Sequence, residues 1–163
     1  MRIRYLLAGA AALALATPAA AQSTPVSFSP EFQTALEEDY GVREGEVLRT
    51  AVTDAISREL ARRGVSSSDV SIEVTIVDAE PNRPTMQQLF DRPSLDFQSV
   101  SIGGAELRAL VRGANGATTE VTHRRYNHNL ADLSGAATTW TEARRAIRQF
   151  AVKVADAYVA TGR

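Results

Sequence analysis

Val70-Ser71-Ile72-Glu73-Val74-Thr75-Ile76 alternates branched apolar residues with polar ones, so an extended chain here buries one face and wets the other. The pattern predicts a half-buried strand, and the segments on either side of it decide the fold. Before it, from Gly45 to Arg63, the residues Val47, Leu48, Ala51, Val52, Ala55, Ile56 and Leu60 recur at the spacing of one helical face. Gly64 supplies the left-handed stop, and the serines Ser66 to Ser68 supply a turn into the strand.

After it, a second strand is expected over Val100 to Arg112, where Ala105, Leu107, Ala109 and Val111 alternate with Glu106, Arg108 and Arg112. Asn115-Gly116 is the favoured pair for a two-residue hairpin turn, because both positions need positive φ, and a returning strand follows at Thr118 to Asn127. Such a turn sets Val111 opposite Glu120 and Leu107 opposite Arg124 on one face. The pattern therefore leaves the register open, with a bulge at Gly103-Gly104 or at Gly113 as the expected remedy.

The ends of the chain complete the arrangement. Val26 and Phe28 suggest a short first strand, and Ser29-Pro30 looks like the N-cap and first residue of a brief helix carrying Phe32, Ala35 and Leu36, interrupted at Tyr40-Gly41. In the last helix Thr139 and Glu142 have the spacing of a capping box, and Trp140, Ala143, Ile147, Phe150, Ala151, Val154 and Tyr158 form one apolar stripe, closed by Gly162. The order is strand, helix, strand, long connection, hairpin, helix. It reads as a single α+β domain over 22–163: an antiparallel or mixed sheet of about four strands, with two long helices packed on one face.

Residues 1–21 read as a secretory signal peptide: Arg2 and Arg4 give positive charge, Tyr5 to Ala16 an apolar run, and Ala19-Ala20-Ala21 a cleavage site before Gln22. The expected location is the periplasm, with release into the medium as the alternative. Without Arg2 and Arg4 the formal charge moves from -1 to -3, so no basic field draws nucleic acid or anionic lipid. The chain has no cysteine, which excludes disulfides, thiolate chemistry and a lipoprotein-type anchor.

One segment does not fit a plain connection. Between Ile76 and Val100 stand three prolines, Pro81, Pro84 and Pro93, together with apolar side chains too numerous for a solvated linker. Thr85 to Phe90 suggests one short helical turn. The segment is either a lid sealing one end of the core or a binding loop, and the binding residues it offers are Arg83, Met86, Leu89, Phe90, Leu95 and Phe97.

The Pro81-Asn82-Arg83-Pro84-Thr85 loop, the Ser101-Ile102-Gly103-Gly104-Ala105 strand start and the Thr139-Trp140-Thr141-Glu142-Ala143 helix start resemble marks of small exported proteins of Gram-negative bacteria. The element order is similar to that of envelope α/β lipoproteins, including auxiliary lipoproteins of outer-membrane transport systems. The resemblance implies an α/β fold and an envelope location, and it assigns no functional residue. The absent anchor cysteine departs from the lipoprotein pattern.

Catalytic chemistry has few starting points. His123 and His128, the two histidines, are five apart, so a continuous strand turns them to opposite faces, and no metal site is expected. No Gly-x-Ser-x-Gly turn, P-loop or dinucleotide fingerprint occurs, so no cofactor is implied. Asp78 with Glu80, and Asp91 with Asp96, are available carboxylate pairs, but beside prolines and arginines in the long loop solvated charge accounts for them far better. The His123-Arg124-Arg125-Tyr126 run suits an anion or a cross-strand pair with Glu106. The sequence therefore points to a non-catalytic periplasmic binding or envelope-accessory protein, whose partner is a protein or envelope component held by the 78–98 loop. The alternative is a small hydrolase using Asp91 or Asp96 with His123.

Overall fold

A computed structural model describes residues 24–65, 71–113, 115–129 and 138–161. The expected leader at 1–21, the serine turn at Ser66 to Ser68, Val70 and the helix stop at Gly162 lie outside the described residues.

Strand β1 (Val26–Phe28) leads through Ser29 into helix α1 (Pro30–Ala35), a π-helical turn (Leu36–Tyr40) and helix α2 (Val42–Arg62). Ser29 is the N-cap its composition suggests: its Oγ accepts the Phe32 N–H at 3.1 Å, and Pro30 opens the helix. Gly41, at φ 96°, ends the π turn and allows the chain to restart as α2. Strand β2 (Ser71–Glu80), helix α3 (Met86–Asp91), strands β3 (Gly104–Arg112) and β4 (Thr118–Tyr126) and helix α4 (Thr141–Thr161) complete the order.

The strands form one mixed sheet in the order β1-β2-β3-β4. β1 runs parallel to β2, with Val26 opposite Val74 and Phe28 opposite Ile76, which requires the helical crossover between them. The other pairs are antiparallel. α4 packs across β3 and β4, α2 lies beside α4, and both stand on one face of the sheet, giving the two-layer α+β architecture expected from the order of elements.

The core lies between these layers. Ile72, Val74 and Ile76 meet Val111, Ala109 and Leu107 across β2 and β3, all buried, beneath Ile147, Phe150, Ala151 and Val154 of α4. The other sheet face is wet and charged, with Arg108 paired to Glu120 and Arg124 to Glu106, each at 3.2 Å. The Arg124 pair is the cross-strand use anticipated for that basic run.

The hairpin corrects two expectations. Val111 stands opposite Thr119 and Leu107 opposite His123, not opposite Glu120 and Arg124. The Gly113 N–H donates to the Ala117 carbonyl and the Gly116 N–H to the Gly113 carbonyl, both at 2.9 Å, so the turn is one residue wider than the two-residue form. Gly116 takes the left-handed position, φ 81°. Polar His123 and Arg125 consequently face the helices, and α4 satisfies them: His123 Nε2 lies 3.2 Å from Gln149 Oε1, and Arg125 Nη2 donates to Glu142 Oε2 at 3.2 Å.

The second correction is the bulge: β3 and β4 pair without a register shift, and the irregularity lies outside the hairpin, at Val77 in β2, where the register slips between Ile76 and Asp78. Buried positions therefore change parity, from Ile72, Val74 and Ile76 to Ala79. Gly104 serves close approach instead: a Cβ there would come within 2.3 Å of the Arg125 carbonyl.

Candidate functional site

Past Glu80 the chain leaves the sheet and returns at Gly104. Asn82, fully buried, fastens this excursion to the rest of the molecule. Its N–H donates to the Thr139 carbonyl at 2.6 Å, its carbonyl accepts the Ser101 N–H at 2.9 Å, and its Nδ2 donates to the Ser101 carbonyl at 3.3 Å. Its Oδ1 accepts the Glu142 N–H at 2.8 Å. The capping role expected of Thr139 toward Glu142 thus belongs to a residue distant in sequence. The Glu142 carboxylate, also buried, binds Arg125 and Arg145 in place of a cap backbone.

The middle of the segment is held by polar contacts as well. Thr85 and Gln88 form a reciprocal capping box at the start of α3, each bond 3.2 Å. Gln88 Nε2 then donates to Asp39 Oδ2 at 3.1 Å, and Arg92 pairs with the other oxygen of Asp39. α3 is thereby tied to the π turn. Arg83 Nη1 donates to the Phe97 and Gln98 carbonyls at 3.2 and 3.1 Å, and Asp96 accepts the Gln98 and Ser99 N–H groups, both at 2.8 Å.

These contacts leave the apolar side chains outside. Phe90 is 86% exposed, Phe97 72% and Met86 67%, with Val100 and Ile102 also open. Leu89 and Leu95 are partly covered. The expectation of a lid is therefore corrected for Met86, Phe90 and Phe97: they do not fold back over the core, because the segment that carries them is tied by its own hydrogen bonds with these side chains outward. Of the six binding residues read from the sequence, Arg83 is a brace, Leu95 lines a cleft, and the two phenylalanines and Met86 project outward.

The cleft has a volume of about 280 Å3 and lies between the π turn and the returning arm, with Tyr40, Glu80, Pro84, Leu95, Val100 and Ile102 on its walls. The Tyr40 ring meets Trp140 edge to face at 5.9 Å between centroids. Burial, and then the charges of Asp39, Asp78 and Glu80, push the Tyr40 phenol up to about 12, against the opposing effect of Arg92. Burial and then Asp78 raise the Glu80 carboxyl, with Arg124 acting the other way. Tyr126 donates to Asp78, and burial, that bond and the surrounding carboxylates raise its phenol as well. Asp78 and Glu80 are the carboxylate pair visible in the sequence. Asp39 and Tyr40 carried no such signal, since the tertiary fold alone brings the π turn to the end of β2.

The residues of the hydrolase alternative are not brought together. His123 lies mid-strand, three residue steps or roughly 10 Å from the sheet end at Tyr126. Burial holds its imidazole below the ordinary value, and the charges acting on it are those of Lys153 and Arg125. Asp91 accepts from Gln87, and Asp96 is engaged by its own turn, whose N–H groups keep its carboxyl low. His128 lies exposed past the end of β4, and no cluster of metal-ligating side chains occurs among the described residues. No helix among the described residues is long and apolar enough to cross a membrane.

No protein-family model, curated protein or solved structure matches this chain.

Proposed function

We propose that this chain works in the periplasm as a non-catalytic binding protein, an accessory of the cell envelope, holding a protein or envelope component on the outer face of its 81–102 segment. One observation carries the reading: Phe90 and Phe97 stand 86% and 72% exposed on a segment tied by hydrogen bonds, a buried capping box at the start of the helix that bears Phe90 and exposed bonds from Arg83 and Asp96 around Phe97. Fixed, exposed aromatics are suited to recognition, because association then loses little conformational entropy. The adjoining π turn fits this reading, since such turns recur at functional sites. Export rests on the charged, apolar and small-residue parts of residues 1–21.

The test compares cross-linked partners captured from the native periplasm by the wild-type chain and by a Phe90→Ser/Phe97→Ser variant. Neither ring packs in the core, so circular dichroism and thermal unfolding should be unchanged, within about 0.5 kcal/mol. A specific partner lost from the variant is the expected result. Identical capture profiles overturn the binding reading, and a chain recovered from the cytoplasm with residues 1–21 still attached overturns the location.

A further inference from the structure

β4 is the last strand of the sheet, with β3 as its one strand neighbour among the described residues. The Gly113 N–H donates to the Ala117 carbonyl and the Asn127 N–H to the Gly103 carbonyl, each at 2.9 Å, and these bonds set the parity of the ladder between them. Thr119, Val121, His123 and Arg125 therefore turn their main-chain groups toward β3, whereas Thr118, Glu120, Thr122, Arg124 and Tyr126 turn theirs to the outer edge. No described residue bonds those outer main-chain groups, and Thr118, Glu120, Thr122 and Arg124 are exposed. The strand has neither proline nor bulge to blunt its edge.

Charge on this edge is self-complementary. A second β4 laid antiparallel about a two-fold axis at Thr122 sets Glu120 opposite Arg124 of the second copy, and Arg124 opposite its Glu120. Thr118 then meets Tyr126, Thr119 meets Arg125 and Val121 meets His123, so no like charges stand opposite one another. Moving the axis to Glu120 or Arg124 sets Glu against Glu or Arg against Arg, and moving it to Val121 or His123 leaves both charges facing neutral residues. Glu120 and Arg124 are 52% and 73% exposed, and their pairs with Arg108 and Glu106 leave each of them room for a further partner. Across the seam the wet face carries a row of alternating sign: Arg108, Glu120, then Arg124 and Glu106 of the second copy.

We infer that the β4 edge is an interface with a second copy of this chain, paired antiparallel about Thr122 so that the two sheets become one. Phe90 and Phe97 take no part in the seam, so the inference does not rest on the binding reading.

Sedimentation velocity of the wild-type chain at about 0.1 mM should show a dimer. Glu120→Arg sets arginine against arginine across the seam, and Arg124→Glu sets glutamate against glutamate, so either variant alone should associate at least about tenfold more weakly. Mixed together, the two variants should pair with each other, because opposite signs then meet at both places. Misfolding would not be repaired by mixing, which separates a lost interface from a lost fold. The chain has no cysteine, so an introduced thiol reports the register. Thr122→Cys should form a disulfide-linked dimer on mild oxidation, whereas Thr118→Cys, roughly 27 Å from its counterpart in the second copy, should not. A wild-type monomer, mixed variants that stay apart, or cross-linking by Thr118→Cys as readily as by Thr122→Cys overturns the inference.

Discussion

The Oδ1 of Asn82 accepts the main-chain N–H of Glu142 at 2.8 Å, so a residue of the connection after β2 caps the helix that closes the fold. The same side chain reaches the Ser101 carbonyl. Helix start, segment start and segment end therefore meet at one buried amide.

Asn82→Ala should be among the most damaging single changes outside the apolar core. It removes a helix cap and leaves buried donors and acceptors unmatched, for a loss of about 2 to 4 kcal/mol. Asn82→Asp keeps the acceptor but not the donor, and should fall between Ala and the wild type. Urea unfolding followed by circular dichroism measures both.

Gly104→Ala tests the close approach of β3 and β4. The added carbon would lie 2.3 Å from the Arg125 carbonyl and 2.5 Å from the Tyr126 Cα, both main-chain atoms with no rotamer to change. The strands must separate there, at about 2 to 3 kcal/mol. Because Tyr126 is displaced, its hydrogen bond to Asp78 should weaken as well, visible as earlier ionisation of a tyrosine in an absorbance titration.

The buried carboxylate of Glu142 has two partners of unequal shelter, Arg125 with a side chain 29% exposed and Arg145 at 48%. Arg125→Met should cost about 2 kcal/mol and Arg145→Met less than about 1, since the more exposed cation already shares its interaction with water. Each arginine compensates for loss of the other. The double variant should therefore lose more than the two single losses added together, and a double-mutant cycle measures the excess.

Stability should fall on the alkaline side through Tyr40. The folded phenol keeps its proton up to about 12, whereas the ordinary value is 10.0, so between these limits the folded chain binds more protons than the unfolded one. The contribution is complete below 10.0 and is lost as pH rises through that window. Tyr40→Phe should flatten this slope of the urea midpoint against pH while leaving its neutral value within about 1 kcal/mol. An unchanged slope removes Tyr40 as the source.

Much of the fold was legible because its signals are local. The Ile72, Val74, Ile76 alternation, the stripe from Ala143 to Tyr158 and the Ser29-Pro30 start each depend on neighbours within a turn or a pleat, and all appear where expected. The helical turn at Thr85 was visible for the same reason, although its Gln88 partner was overlooked. The candidate site was legible only in outline. The apolar content of residues 86–97 marked the segment, but composition does not say whether Phe90 faces inward or outward, and that depends on where Asn82, Gln88 and Arg83 find their partners.

By itself, then, the sequence determined the α+β order, the helix faces and the unusual connection, since periodicity and capping act over a few residues. The tertiary structure alone decided the hairpin register, the bulge at Val77, the cap from Asn82 and the cleft beside Tyr40. Each of these is a contact between groups far apart in the chain. His123 and Arg125 could face the helices because Gln149 and Glu142 were there to satisfy them, a pairing set by packing rather than by local pattern.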